Sequence, residues 1–293
     1  RKRIDEGLDW LSIKPLPVSK GAIPWFWNWQ DRRYSMWWDA EGLPFIQGPN
    51  MLFINSATPR IDREECALLD SPNCLMMFCH SEWYRDLIQA NRGPNNKSEI
   101  VMWPYPIDPM PEGPLPAEYD ILIYAKNGHR PGLLEHLTEL YPNHIQFHYG
   151  QYKRADLIEA ARRSRACAYL ADDDHGPLAL QEILLAGCPV VGVKTGAPFI
   201  TNGKTGFKLD CLPAGRAFSR NAESNIRLQK YLRALKRSQL LPRPAVRQFA
   251  EDNYSAENVV DSIIESIEKM LFEYCSPTNA TKPALASFDL YTS

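Results

Sequence analysis

Between Asp120 and Val193 short apolar runs alternate with longer amphipathic ones: DILIYA, PGLLEHLTELYP, HIQFHYG, RADLIEAARRS, ACAYLA, PLALQEILLAG and PVVGV. Strand-like runs separated by helical ones at this spacing are joined by crossovers, so the stretch predicts a parallel sheet covered by helices. The first half shows the form again in CLMMFCHSEWYRDLIQA (74–90), an apolar strand, Ser81 at a helix-cap position, then a helix. Between these two α/β units lies WPYPIDPMPEGPLP (103–116), whose six prolines forbid helix and interrupt any ladder, so it reads as a linker. After Arg220 the chain turns helical in SNIRLQKYLRALKRS, RPAVRQFAEDN and AENVVDSIIESIEKMLFEY. The last of these carries an apolar stripe at Val259, Ile263, Ile267, Met270 and Leu271, as expected of helices that cover a sheet. The tail from Ser276 is polar.

Charge and composition restrict the partners. A formal net charge of -2 offers no basic field for duplex nucleic acid, so no nucleic-acid partner is expected. No apolar run approaches the roughly 18 residues of a membrane span, and RKRIDEGLDWL lacks a signal-peptide core. The seven cysteines form no C-x-x-C and sit mostly in apolar stretches, which reads as reduced core thiols and a cytoplasmic protein. Three sequons, at Asn96, Asn253 and Asn279, are near chance frequency.

The chemistry concentrates in ADDDHGPLALQE (171–182), for which three readings are open. It is a helix start, with Pro177 in the first turn, acidic residues upstream to complement the dipole, and Gly187 as terminator. It is a metal site, with Asp172 and Asp174 at D-x-D spacing suited to a hard cation. Or the helix N-terminus aims backbone N–H groups at a phosphate, while Glu182 takes a vicinal diol such as that of a ribose. In an open parallel sheet ligands bind beyond the carboxyl ends of the strands, where this motif falls if ACAYLA is a strand.

The residues after Glu182 strengthen the last reading. The stretch ILLAGCPVVGVKTGAPFITNGKTGFKL, with Asp174 and Glu182 eight apart, resembles the donor-binding segment of retaining glycosyltransferases with the GT-B fold, particularly glycosyltransferase family four. That family's E-x7-E pattern, small-residue helix end, G-x-P-V-V strand, glycine turn and N-G-x-x-G hairpin are matched by Glu182, AGCPVVG, Thr195-Gly196-Ala197 and NGKTGF. FCHSEWYRDLI and PYPID (104–108) look like the family's last first-domain elements and its interdomain crossing. The resemblance covers residues 74 to 210. Departures are Asp174 for the first glutamate, His175 for the adjacent glycine, and Lys126 preceding Arg130 where the family has the reverse order.

The resemblance implies an α/β fold of two Rossmann-like domains. These would be a short or truncated N-terminal acceptor-side domain (1–107), a nucleotide-sugar-binding domain (108–255), and a C-terminal helix and tail (256–293). The first lacks an opening strand with a glycine-rich loop and so reads as incomplete, trimmed or rebuilt. It implies a retaining hexosyltransferase that moves a sugar from a UDP- or GDP-sugar, a co-substrate, to a glycan or other hydroxyl acceptor, with no metal and no further cofactor. Lys126 and Arg130 would meet the diphosphate, whose charge grows as the glycosidic bond breaks. Asp174 and His175 would face the donor sugar, Glu182 the ribose, and Pro177 and Leu178 the phosphates at the helix start. Backbone amides of Thr195, Gly196 and Ala197 would line the sugar. Two other functions stand beside this one: a metal-dependent D-x-D transferase using Asp172 and Asp174, and a non-catalytic glycosyltransferase-like binding protein. A nicotinamide dehydrogenase is disfavoured, because no strand is followed by G-x-G-x-x-G.

Other signals read more plainly. NGKTG carries the Gly-Lys-Thr of a P-loop, but Pro198 stands where its first glycine is needed. His144 and His148 share a strand face and read as strand histidines rather than ligands. Trp25, Trp27 and Trp29 in WFWNWQDRRY also share a face, open to core packing, to an acceptor sugar, or to peripheral membrane contact beside Arg32 and Arg33. The basic YKRADLIEAARRSR reads as a solvated helix face.

Overall fold

The computed structural model of the protein describes residues 23–28, 32–50, 70–108, 110, 113–126, 131–174, 176–213 and 222–275. Its elements begin with β1 (Trp25–Asn28), α1 (Arg32–Ala40), β2 (Phe45–Asn50), β3 (Cys74–Cys79), α2 (Glu82–Asn91) and β4 (Glu99–Met102). They continue with β5 (Ile121–Ala125), α3 (Pro131–Leu140), β6 (His144–His148), α4 (Arg154–Arg162), β7 (Cys167–Leu170) and α5 (Leu178–Leu185). Last come β8 (Val190–Val193), β9 (Gly206–Leu209), α6 (Ala222–Ser238), α7 (Arg243–Tyr254) and α8 (Ala256–Cys275). Two sheets result, one ordered β1-β2-β3-β4 and one ordered β6-β5-β7-β8-β9. The expected α/β architecture with two Rossmann-like parallel sheets, the N-terminal one small, is thus present.

Among the described residues the chain forms two compact units. One takes in the residues up to Phe78, Asn91–Ile100 and the end of α8 from Glu268; the other comprises Cys79–Ala90 and Val101–Ile267. In the first, β1 and β3 flank β2 in parallel, and Phe45, Ile46, Met76, Met77 and Phe78 are buried. Trp25 packs on Phe78 with ring centroids 5.3 Å apart. The side chain of Trp27, all of Trp29, and the side chains of Arg32 and Arg33 lie outside the described residues.

The second unit is built on the five-stranded sheet, whose pairs are all parallel. Every residue of β5 is buried, because helices cover both faces. Leu122 and Tyr124 join Cys167, Tyr169 and Val190 on one face, under Leu157 of α4, Ile183 and Leu184 of α5, and Val246 of α7. Ile121 and Ile123 join Ala168, Leu170 and Val191 on the other, under Leu137 of α3 and Tyr231 and Leu235 of α6. The period of two sorts one strand's residues into two cores, each aliphatic or aromatic side chain contributing about 1.5–3 kcal/mol on burial.

Local sequence sets the boundaries. Gly187 (φ 80) ends α5 as expected, where a side chain would also come within 3.0 Å of the Arg243 carbonyl. Pro177 stands at the N-cap position rather than inside the first turn. Ser81 precedes α2 and its carbonyl accepts from the Arg85 N–H at 2.9 Å, but its buried hydroxyl makes no hydrogen bond among the described residues. The described residues of the proline-rich segment are irregular apart from a bridge of Ile107 to Ser255, and two guanidiniums hold the segment against the end of α4. Arg162 donates to the Gly113 carbonyl at 3.1 Å, and Arg243 donates to Leu115 at 2.7 Å and to the Arg162 carbonyl. On α8 Val259, Ile263 and Met270 are buried, as their spacing predicts.

Candidate functional site

The strand order marks where a ligand enters a sheet of this kind. From β5 the chain moves outward to β6, then returns across β5 to place β7 on the opposite side and continues to β8 and β9. The direction of winding reverses between β5 and β7, and above the carboxyl ends of two such strands the flanking loops part. Lys126 follows β5 directly and Asp172–Asp174 follow β7, so this cation and these carboxylates rise from the two strands that border the reversal.

They meet there. Lys126 Nζ lies 2.5 Å from Asp174 Oδ2, and the side chains are 15% and 6% exposed. The hydroxyl of Tyr169 donates to the same oxygen at 3.3 Å, and Lys126 sits over the Tyr149 ring, 4.7 Å from its centroid. Tyr169 stacks on Tyr124 at 4.9 Å, and the Tyr124 and Tyr152 hydroxyls lie 3.1 Å apart. Burial pushes the Tyr124 and Tyr169 phenols well above their ordinary range, so both remain neutral. One ion pair with an aromatic wall therefore stands beyond the carboxyl ends of β5 and β7.

Glu182 follows eight residues after Asp174, in the second turn of α5. It is 3% exposed, and its Oε1 takes the Nε–H of Arg154, the first residue of α4, whose own side chain is 56% exposed. Burial pushes the Glu182 carboxyl up, and the hydrogen bond and charge of Arg154 pull it back part of the way. A carboxylate withdrawn from water with a single exposed cation beside it is costly for folding.

The turn after β8 closes the site from the side. The Thr195 carbonyl accepts the Asp174 N–H at 2.8 Å, and the Thr195 hydroxyl donates to the Asp172 carbonyl at 2.5 Å. Gly196 lies so close to the end of β7 that a Cβ there would come within 1.9 Å of the Ala171 carbonyl oxygen. Ala197 is buried and its N–H donates to Val193 at 2.7 Å, committing that amide within the turn. Pro177 is buried and Leu178 is 45% exposed at the start of α5. Arg130 and His175 lie outside the described residues.

Several contacts have no trace in the sequence pattern. Trp83 on α2 donates its indole N–H to the Asp174 carbonyl at 2.9 Å. His80 is buried, its Nδ1 2.7 Å from the Trp103 carbonyl and its ring 3.8 Å from that of Tyr105. That ring lies against Gly176, where a Cβ would come within 2.6 Å of it. Gln181, fully buried, grips Tyr105 by both backbone groups, at 3.3 Å through Oε1 and 3.0 Å through Nε2. Asp174 is thus bound by Trp83, Gly176 is covered by His80, and α5 is tied to Tyr105 through Gln181.

Among the described residues no group of three or more His, Cys, Asp or Glu side chains is placed to hold a metal ion. His144 Nδ1 lies 2.8 Å from the Tyr141 carbonyl, and His148 Nε2 lies 2.5 Å from the Gln146 side chain. A cavity of about 190 Å³ is lined in part by Trp103, Asp252, Asn258 and Ile263. No described helix is long and apolar enough to cross a membrane.

No protein-family model matches the sequence, and no curated protein matches it. Solved structures do. Sucrose-phosphate synthase from Thermosynechococcus elongatus is 14% identical, with 86% of this chain and 74% of that one covered and a TM-score of 0.57. The Anabaena protein HepE, in complex with UDP and glucose, is 11% identical, with 80% and 74% covered and a TM-score of 0.54. The GtfA/B complex is 13% identical, with 71% and 47% covered and a TM-score of 0.50. The chain spans 64% of the length of the glycosyltransferase AviGT4 and under half of the GtfA/B chain. At these identities the likeness is one of fold, that of GT-B glycosyltransferases.

Proposed function

We propose that this protein is a glycosyltransferase that moves a hexose from a nucleoside diphosphate to a hydroxyl of a glycan or other acceptor, with retention of configuration. The observation that carries the proposal is the Lys126–Asp174 pair across the β5–β7 reversal, with buried Glu182 eight residues on. A leaving nucleoside diphosphate gains negative charge in the transition state, and Lys126 supplies a fixed cation at the place where such a ligand enters this fold. Arg130 and His175 join Lys126 and Asp174 by their sequence positions. Asp174 takes a hydroxyl of the donor sugar, and Glu182 accepts both ribose hydroxyls. Pro177 and Leu178 put the start of α5 beside the phosphates, and the Thr195–Ala197 turn borders the sugar. The UDP, glucose and UDP-glucose bound in HepE structures support a UDP-sugar donor, with a GDP-sugar as the second choice.

The reaction needs no metal and no cofactor besides the donor. This reading is supported by the use of the second D-x-D carboxylate, since Asp174 already accepts from Lys126 and Tyr169. The test is calorimetric titration with UDP, GDP and ADP, in excess EDTA and again with Mn²⁺. Saturable binding of one nucleotide in EDTA is the expected result. Binding that requires Mn²⁺ overturns the metal-free reaction, and no binding in either condition overturns the function. NMR of the product made in EDTA then reads the anomeric configuration, and an inverted product overturns retention.

A further inference from the structure

Arg154 belongs to a basic run that looks like a solvated helix face, and its side chain is indeed more than half exposed. Its Nε nevertheless reaches into the body of the unit, to a carboxylate that is 4% exposed. Among the described residues, the groups near Glu182 leave that task to Arg154. Lys126 is taken by Asp174, and Tyr152, ahead of α4, contributes a phenol that burial pushes up and that stays neutral. On α7, which packs on α5, Arg243 donates to the carbonyls of Leu115 and Arg162, and Arg247 pairs with Glu251 at 2.7 Å.

We infer that Arg154 is a positioning residue for the nucleotide: its guanidinium holds the Glu182 carboxylate in place to accept the two ribose hydroxyls. The inference rests on the glycosyltransferase reading above. A buried carboxylate left alone takes up a proton, and a protonated carboxyl becomes a donor with one good acceptor oxygen, unsuited to a diol. Nucleotide affinity then becomes dependent on pH. It is full above the pKa of Glu182 and falls about tenfold per pH unit below it, as one linked proton requires.

The test measures the two links separately. Protein labelled with ¹³C at glutamate carboxyls is titrated by NMR as wild type, Arg154→Ala and Arg154→Lys, with Glu182→Gln to assign the signal. The same four proteins and the Arg154→Ala/Glu182→Gln double variant are titrated with UDP and GDP in EDTA over a pH series that runs from mildly alkaline down toward the ordinary carboxyl range. In Arg154→Ala the Glu182 signal is expected to titrate at higher pH than in wild type. Its nucleotide affinity should drop about tenfold or more toward the acid end. Arg154→Lys should restore both, and Arg154→Ala should have no further effect on affinity in a Glu182→Gln background. An unmoved carboxyl titration with a wild-type pH profile overturns the inference while leaving nucleotide binding by the wild type intact. Tighter binding by Arg154→Ala at every pH overturns it too, since Arg154 would then compete with the ribose. A moved titration in a protein whose wild type binds neither nucleotide overturns the function and the ligand assigned to Glu182 with it.

Discussion

The indole N–H of Trp83 donates to the backbone carbonyl of Asp174 at 2.9 Å across 91 residues of sequence, tying the first turn of α2 to the loop that follows β7. Trp83→Phe keeps an aromatic ring and removes the donor. It is expected to cost about 1 kcal/mol of stability, the net worth of one hydrogen bond, read as a shift in denaturant midpoint at unchanged slope. Affinity for a UDP-sugar should fall as well, because the carboxylate proposed to meet the donor sugar sits on the same residue.

Lys126→Met leaves the Asp174 carboxylate in a nearly buried place with the Tyr169 hydroxyl still donating to it. Breaking one side of such a pair costs about 3 kcal/mol, so the variant should unfold at lower denaturant than wild type. Adding Asp174→Asn should recover part of the loss, and a double-mutant cycle measures how much. Lys126→Met should also weaken UDP more than uridine. Equal weakening would remove Lys126 from the phosphates.

Gly196→Ala places a methyl group against backbone rather than a movable side chain. The turn must shift, at a cost of about 1–3 kcal/mol, and nucleotide binding should be lost along with the position of Thr195. A wild-type melting temperature with wild-type affinity would show that the turn is looser than its packing indicates.

Glu182→Gln separates stability from function. The folded protein raises the carboxyl above its ordinary value, so between that value and the raised one the folded state binds more protons than the unfolded state. Stability from this group therefore declines as pH rises through that window and is lowest above it. Glutamine removes the penalty, so at neutral pH the variant should be as stable as wild type or more so. Its advantage should vanish below the ordinary carboxyl pKa. Nucleotide affinity should nevertheless fall about tenfold or more, since a hydrogen bond to a charged group is worth about 1.5–3 kcal/mol. A variant less stable than wild type at neutral pH would show that the Arg154 pair outweighs the burial.

Thiol labelling tests the packing. Cys275 is exposed and Cys211 half-buried, whereas Cys74, Cys79, Cys167 and Cys188 are buried free thiols. Burial pushes Cys74, Cys79 and Cys188 up to about 12. Among the described cysteines, peptide mapping after brief alkylation at about pH 8, near the ordinary thiol pKa, should find Cys275 modified first and Cys211 next. The four buried thiols should label only on unfolding.

The second sheet was legible in the sequence because both of its faces are covered, which turns strands into unbroken apolar runs such as ILIYA, and because Gly187 marks a helix end. Asp174 and Glu182 stood out through their spacing beyond a strand, and Lys126 through its place after β5. Arg154 did not stand out, since its partner lies 28 residues away and the run around it, with exposed Lys153 alongside, reads as a basic helix face. Tyr124 and Tyr169 looked like ordinary strand residues, as their stacking depends on the register that places them opposite each other. Ser81 offered the right hydroxyl for a cap, but tertiary packing buried it. His80 and Trp83 grip the 174–177 loop through contacts that no local pattern encodes.

The placement of β7 beside β5 also bears on how the chain is made. Lys126 donates its N–H to the Leu170 carbonyl, and Tyr124 stacks on Tyr169, so neither is satisfied until a segment more than forty residues downstream has been synthesised. On a ribosome, a nascent chain ending before β7 presents the edge of β5 and its aromatic face to solvent. Such an intermediate invites strand pairing with the wrong partner. The strand that carries Lys126 would then depend on a chaperone to stay unpaired while the chain is still growing.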